Sequence, residues 1–180
     1  MSSTAYAAIK EHIDNIWVVD THEHLTQEAD WLAAPEGAVD FSRFFAHYAS
    51  VDLVSAGLSQ ADLGKIKSDQ TPLEEKWDLF EPYWEKAKNT AYCKAVDLAV
   101  RDLFGLPGLN RETYQPLARK MREMRKPGYY KLVLKDKARI AISILDLGSD
   151  TADREFFAPV ARLDHFIMLH RLEDLLNIEA

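Results

Sequence analysis

Hydrophobic residues near the amino terminus recur first at helical spacing and then in an unbroken run. Tyr6, Ile9 and Ile13 lie three and four positions apart behind Ser and Thr residues, and this spacing predicts a helix over residues 3–14. The next segment, residues 16–19 (IWVV), is apolar and largely β-branched. Such a run predicts a short strand that is buried on both faces.

The following stretch, residues 26–137, has a mainly helical pattern that glycine and proline residues interrupt. Two apolar stripes at helical spacing are expected to face a core. One consists of Tyr92, Val96, Ala99, Val100 and Leu103, and the other of Leu117, Met121 and Met124.

Two further apolar runs follow, at residues 139–146 and 156–162, and both predict strands. Pro159 favours an edge position for the later strand, because proline cannot donate to a sheet ladder. A closing helix is expected over residues 165–176. Short buried-type strands among many helices predict an α/β fold with a parallel sheet.

Composition narrows the class of protein. The chain has 180 residues, of which 47% are hydrophobic, with 22 Lys and Arg against 29 Asp and Glu, a net charge of −7. These values predict a globular protein and argue against a general nucleic-acid binder. No apolar run is long enough to cross a bilayer and no signal peptide is evident, so a cytoplasmic location without a membrane partner is expected. The single cysteine, Cys93, excludes an internal disulfide and a multi-cysteine zinc site and is expected to be buried.

Positive charge is concentrated in residues 117–139, which contain nine basic and two acidic residues. A solvated helix face is the favoured interpretation, because no nucleic-acid motif accompanies the charge. The alternative is a non-catalytic helical interaction module that binds an anionic partner through this segment.

His22 and His24 are the strongest candidates for chemistry. They lie two positions apart where the first predicted strand ends, so the period of a strand places both imidazoles on one side and turns Glu23 away. Two neutral imidazoles in this arrangement can share one divalent ion of the zinc, iron or manganese type. The sequence therefore predicts a metal site at His22 and His24.

The segment from Val18 to Leu25 (VVDTHEHL) resembles the Asp-x-His-x-His signature of the first strand in the amidohydrolase superfamily of metal-dependent (β/α)8 barrel enzymes. The long helical insertion after that strand is similar to uronate isomerases and related amidohydrolases. The resemblance implies the amino-terminal part of a TIM-like barrel, a single incomplete domain over residues 1–180. Its parts would be a leading helix and first strand (1–25), a helical insertion (26–137), and the second and third strands with a closing helix (138–180).

The segment Val160-Ala161-Arg162-Leu163-Asp164 also resembles the Arg-x-Asp segment with which uronate isomerases hold an acidic sugar. The resemblance makes Arg162 and Asp164 candidate substrate-binding residues. A guanidinium holds a carboxylate through two parallel hydrogen bonds, although a local ion pair with Asp164 is the alternative. For Asp146, at the end of the second predicted strand, a turn or helix-capping role is favoured over one in orienting water or Arg162.

The resemblance implies a metal-dependent hydrolase that acts on a small, carboxylate-bearing molecule, with zinc as the expected metal and manganese or iron as alternatives. A sugar-acid isomerase is the alternative enzyme, and decarboxylation is a further reaction of the same type. Because superfamily members take more ligands from later strands, the 180 residues alone are expected to be inactive, and either to form oligomers or to need the second half of the barrel.

Overall fold

A computed structural model describes residues 4–146 and 152–160 of the chain. The chain divides into two compact units, one formed by residues 1–27 and 130–180 and the other by residues 28–129. The second unit nearly coincides with the helical insertion predicted over residues 26–137. The prediction that the whole chain is one incomplete domain stays a prediction.

The first unit contains a helix, a parallel sheet and a π-helical segment. Its described elements are α1 (Thr4–Asn15), β1 (Val18–Glu23), the π-helical segment Lys131–Lys137, β2 (Ile140–Leu145) and β3 (Phe157–Pro159). The strands are parallel in the order β1-β2-β3. The α/β class and the parallel sheet that the sequence predicts are therefore confirmed.

β2 is the central strand of this sheet, and its residue types suit that position. Ile140, Ile142 and Ile144 are β-branched, as is common in strands with neighbours on both sides. The chain enters β2 through Arg139, whose positive φ of 52° is uncommon outside glycine and makes a tight turn after the π-helical segment. The carbonyl of Arg139 accepts a hydrogen bond from the amide of Val18 at 3.0 Å, which aligns the start of β1 with β2.

The prediction that the first strand is buried on both faces is wrong. Val18 and Val19 are 42% and 56% exposed, and none of the residues in α1 is buried. Among the described residues, β1 has a strand neighbour on one side only. Within the described part of the chain, the side chains of Val18 and Val19 are therefore only partly covered, unlike those of a strand packed on both faces.

The second unit is helical. Its elements are α2 (Glu28–Ala33), α3 (Ala49–Ser55), α4 (Gln60–Lys67), α5 (Leu73–Ala87), α6 (Ala91–Asp102) and α7 (Tyr114–Met124), with 3-10 turns at Glu36–Ala38 and Phe41–Phe45. Hydroxyl caps begin two of these helices, because Ser59 accepts from the amide of Asp62 and Thr90 accepts from the amide of Cys93.

An aromatic cluster forms the core of this unit. Phe41, Phe45, Trp77, Phe80 and Trp84 are each at most 1% exposed. Their rings meet mostly in edge-to-face or tilted pairs, with centroids 4.8–5.9 Å apart. Such geometries are preferred by aromatic quadrupoles.

The two predicted stripes face this core in part. Val96 and Val100 of α6 and Leu117 and Met121 of α7 are buried, as predicted. Tyr92 differs, because it is 51% exposed at the start of α6. Cys93 is fully buried, which confirms its expected position in the core.

The third strand is shorter than predicted. Within the described residues it spans residues 157–159, so that residues 156 and 160 lie outside it, whereas residues 161 and 162 of the predicted run are not among the described residues. The strand lies at the edge of the described sheet, as Pro159 indicates. The closing helix predicted over residues 165–176 lies outside the described residues. Within the described part of the chain, every helix is too short or too polar to cross a bilayer.

Candidate metal centre

The carboxyl ends of β1 and β2 meet at one edge of the parallel sheet. Glu23, the last residue of β1, is in register with Leu145, the last residue of β2. The amide of Asp146 then donates to the carbonyl of Glu23 at 2.8 Å. This hydrogen bond places the residue after β2 directly beside the residue that separates His22 from His24.

The two imidazoles meet at this edge. The Nε2 atoms of His22 and His24 are 2.9 Å apart, and the rings are nearly perpendicular, with an angle of 88° between their planes. Adjacent carboxylates hold the backbone here, because Asp20 accepts from the amide of His22 at 3.3 Å and Glu23 accepts from the amide of His24 at 2.7 Å. The two imidazoles thus lie together as predicted, although β1 ends at Glu23 and His24 follows it, so that a regular strand period does not place them. The role of the pair as metal ligands stays a prediction.

β1 also contains an irregularity at this point. The register shifts between the pair Asp20–Ser143 and the pair Glu23–Leu145, so that β1 advances three residues while β2 advances two. Bulges of this kind re-aim side chains and are common beside functional sites. The shifted segment includes His22, so the shift affects the direction of the His22 imidazole.

A carboxylate completes the cluster. An oxygen of Asp146, Oδ2, lies 4.0 Å from Nε2 of His22, and one potential ligand atom from each of His22, His24 and Asp146 lies within 4.8 Å of the other two. The Asp146 side chain is 5% exposed, whereas that of His22 is 54% exposed. Sequence reasoning favoured a turn role for Asp146 and missed this proximity. The sequence did contain a signal for this proximity. His22 and Asp146 both lie at the carboxyl ends of predicted strands, and such ends lie close together when the strands are neighbours in a parallel sheet.

The donor set suits a divalent transition metal. Imidazole nitrogen and carboxylate oxygen are ligands for zinc, iron and manganese. Two ligand atoms of a tetrahedral zinc, each about 2.1 Å from the ion, lie roughly 3.4 Å apart. The observed separations of 2.9 Å and 4.0 Å lie on either side of that value. Ligand spacing therefore requires changes of roughly 0.5–0.6 Å in these two separations.

The predicted substrate residues Arg162 and Asp164 lie outside the described residues. The basic segment 117–139 is shared between the two units, because residues up to 129 belong to the helical unit. Two of its side chains donate to backbone carbonyls within their own unit: Lys135 to Ala141 at 2.6 Å, and Arg125 to Ala34. These contacts give Lys135 and Arg125 structural roles.

Comparison with protein-family models, with curated proteins and with solved structures finds no significant match to this chain.

Proposed function

We propose that this chain provides the metal-binding strands of a metal-dependent hydrolase of the amidohydrolase type, which acts on a small, carboxylate-bearing substrate. The observation that carries the proposal is the pair of Nε2 atoms of His22 and His24, 2.9 Å apart at the carboxyl end of a parallel sheet. Active sites of parallel α/β enzymes are assembled at that end of the strands.

In this proposal His22 and His24 hold one divalent ion, with zinc as the leading choice. Such an ion, when bound, lowers the pKa of a coordinated water and polarises a carbonyl group. The protein positions the ligands through its backbone: Asp20 holds the amide of His22, and Glu23 holds that of His24. These contacts hold the backbone at both histidines, while each imidazole can still turn about its own side-chain torsions.

The finer fold in this proposal is the first part of a (β/α)8 barrel. The support is the strand order β1-β2-β3, since consecutive barrel strands are parallel neighbours. The helical unit, residues 28–129, is then the insertion between the first and second strands.

The carboxylate on the substrate is assigned through Arg162, by resemblance alone. A guanidinium forms two parallel hydrogen bonds with a carboxylate, and an ammonium cannot reproduce that fork. Arg162→Lys should therefore raise the KM for a carboxylate-bearing substrate by roughly tenfold or more, since a hydrogen bond to a charged group contributes about 1.5–3 kcal/mol. An unchanged KM would remove the carboxylate from the proposal.

Metal content and turnover test the function together. The full-length protein, purified without added chelator, should contain about one zinc, manganese or iron ion per chain and should hydrolyse members of a panel of carboxylate-bearing amides and lactones. His22→Ala should lose both the metal and the turnover, whereas His12→Ala, a change on the exposed helix α1, should lose neither. A metal-free wild-type protein that also fails to bind added zinc or manganese would overturn the proposal.

A further inference from the structure

We infer that Asp146 is a third metal ligand, so that β1 and β2 together form a centre of two histidines and one carboxylate. The inference rests on the proposed function only for the presence of the ion. It adds the ligand Asp146, which directly follows β2, whereas His22 lies within β1 and His24 directly follows it. The residues concerned all belong to the unit that contains the sheet.

The backbone already fixes the position of Asp146. Its amide donates to the carbonyl of Glu23, and one residue earlier the carbonyl of Leu145 accepts from the amide of Val160 at 3.0 Å. The end of β2 is thus held on both sides. A ligand on such a backbone needs only its side-chain torsions to be adjusted, and rigid elements position functional groups better than loops do.

Two atoms approach the same nitrogen of His22. The Nε2 atom of His24 lies 2.9 Å from the Nε2 atom of His22, and the Oδ2 atom of Asp146 lies 4.0 Å from it. If Nε2 of His22 binds a metal that it shares with His24, this nitrogen has no proton to donate to Asp146. Asp146 then cannot act by accepting a hydrogen bond from that nitrogen. Its distance from the shared nitrogen places Asp146 where it can ligate the same ion.

Ligand number and charge favour the same assignment. Catalytic zinc sites have three protein ligands and one open position, and sets of two histidines with one carboxylate recur for zinc and for iron. Two neutral imidazole ligands do not offset the positive charge of a divalent ion, whereas the Asp146 carboxylate offsets one unit of it. Its side chain is 5% exposed, so that water screens this attraction weakly.

Cobalt is a suitable probe because Co²⁺ replaces zinc in such sites and its visible absorption reports ligand binding. Titration of the full chain with Co²⁺, followed by competition with zinc, gives affinities for the wild type and for Asp146→Ala. We expect the Ala variant to bind cobalt and zinc at least about 100-fold more weakly than the wild type. Loss of a residue that only supports a ligand typically lowers metal affinity by about 10–100-fold, so a ligand should lie at or above the upper end of that range. Asp136→Asn is the charge-removing control, because Asp136 is exposed, lies in the same unit and pairs with the surface residue Lys131.

A ligand exchange keeps the test decisive if Asp146→Ala fails to fold. In Asp146→Cys, a side chain that reaches the ion should produce a thiolate-to-cobalt charge-transfer band in the near ultraviolet. The wild type, whose only cysteine is the buried Cys93, should lack this band.

Each outcome decides the inference. Weaker binding by the Ala variant together with a new band in the Cys variant supports ligation, provided that Asp136→Asn binds like the wild type. Ala-variant affinity within threefold of wild type, or a folded Cys variant that binds cobalt without the band, overturns the role of Asp146 and leaves the proposed function standing. A wild-type chain that binds neither cobalt nor zinc overturns both.

Discussion

Lys76 and Asp40 form an ion pair in which both side chains are buried. The Lys76 ammonium lies 2.7 Å from the Asp40 carboxylate and also donates to the carbonyl of Gly37 at 3.0 Å. The other oxygen of Asp40 accepts from the amide of Ser42 at 2.8 Å and caps the turn that begins at Phe41. A single lysine of α5 therefore holds both short turns that precede α3.

Removal of the Lys76 charge should destabilise the helical unit strongly. Lys76→Met keeps the apolar stem but leaves the Asp40 carboxylate buried without its cation, which costs about 3–5 kcal/mol of unfolding free energy. Urea denaturation at neutral pH, followed by tryptophan fluorescence, measures the loss. Lys88→Met is the matched control, because Lys88 pairs with Glu85 at the surface and its loss should change stability by less than about 0.5 kcal/mol. Similar losses in the two variants would contradict the importance of burial.

Gly108 should not tolerate a side chain. Its φ is +136°, and an added Cβ would lie 2.6 Å from Oδ1 of Asp97, the atom that accepts from the amide of Leu109. Gly108→Ala should therefore destabilise the chain by about 1–3 kcal/mol. Gly64→Ala is the contrasting variant, because Gly64 lies within α4 and no atom lies within 4 Å of an added Cβ. This substitution should stabilise the chain by about 0.5–1 kcal/mol. Thermal melts test both predictions, since Gly108→Ala should lower the melting temperature and Gly64→Ala should raise it.

The Cys93 thiol should react slowly with disulfide reagents. Burial raises its pKa, and the nearby Asp52 carboxylate adds to the rise, whereas the hydrogen bond with Thr90 opposes it. A raised pKa lowers the thiolate fraction at pH 8, and the thiolate is the reactive form. We expect the folded chain to react at least about 100-fold more slowly than the same chain in denaturant, because modification requires local opening. Equal rates in the two conditions would contradict the packing around α6.

Replacement of His22 or His24 by Ala should remove most affinity for zinc, by about 100-fold or more, because each removes one ligand. Glu23→Gln should stay within about threefold of wild type, since the amide oxygen of Gln can still accept from the amide of His24. Zinc competition with a chromophoric chelator measures all three affinities. Equal losses of zinc affinity in the three variants would contradict the prediction that the two histidines, and not Glu23, bind the ion.

Local patterns were sufficient for several parts of the fold. The spacing of Tyr6, Ile9 and Ile13 placed α1 to within one residue at each end, and the β-branched run before Asp146 located β2. The closeness of His22 and His24 was also predicted, and the two residues are near neighbours in the sequence. Each of these features depends on residues that are close in the sequence, which a local pattern reports directly.

Features that depend on pairing between elements were not predicted. The exposure of Val18 and Val19 depends on what packs against the two faces of β1, and an apolar run cannot indicate whether both faces are covered. The proximity of Asp146 to the histidines depends on a register that includes a shift beside His22. A register is set by the whole strand pair, so that the residue type of Asp146 alone did not reveal its neighbours.

The two ends of the helical unit lie close together. The amide of Gly128 donates to the Glu28 carboxylate at 3.2 Å, and the rings of Trp31 and Tyr129 lie 5.8 Å apart. Segments whose two ends lie close together are inserted or removed more easily than others, because the rest of the chain needs only a short connection in their place. The helical unit is therefore a segment whose length can change, and a shorter crossover in its place would leave the sequences of β1 and β2 unaltered.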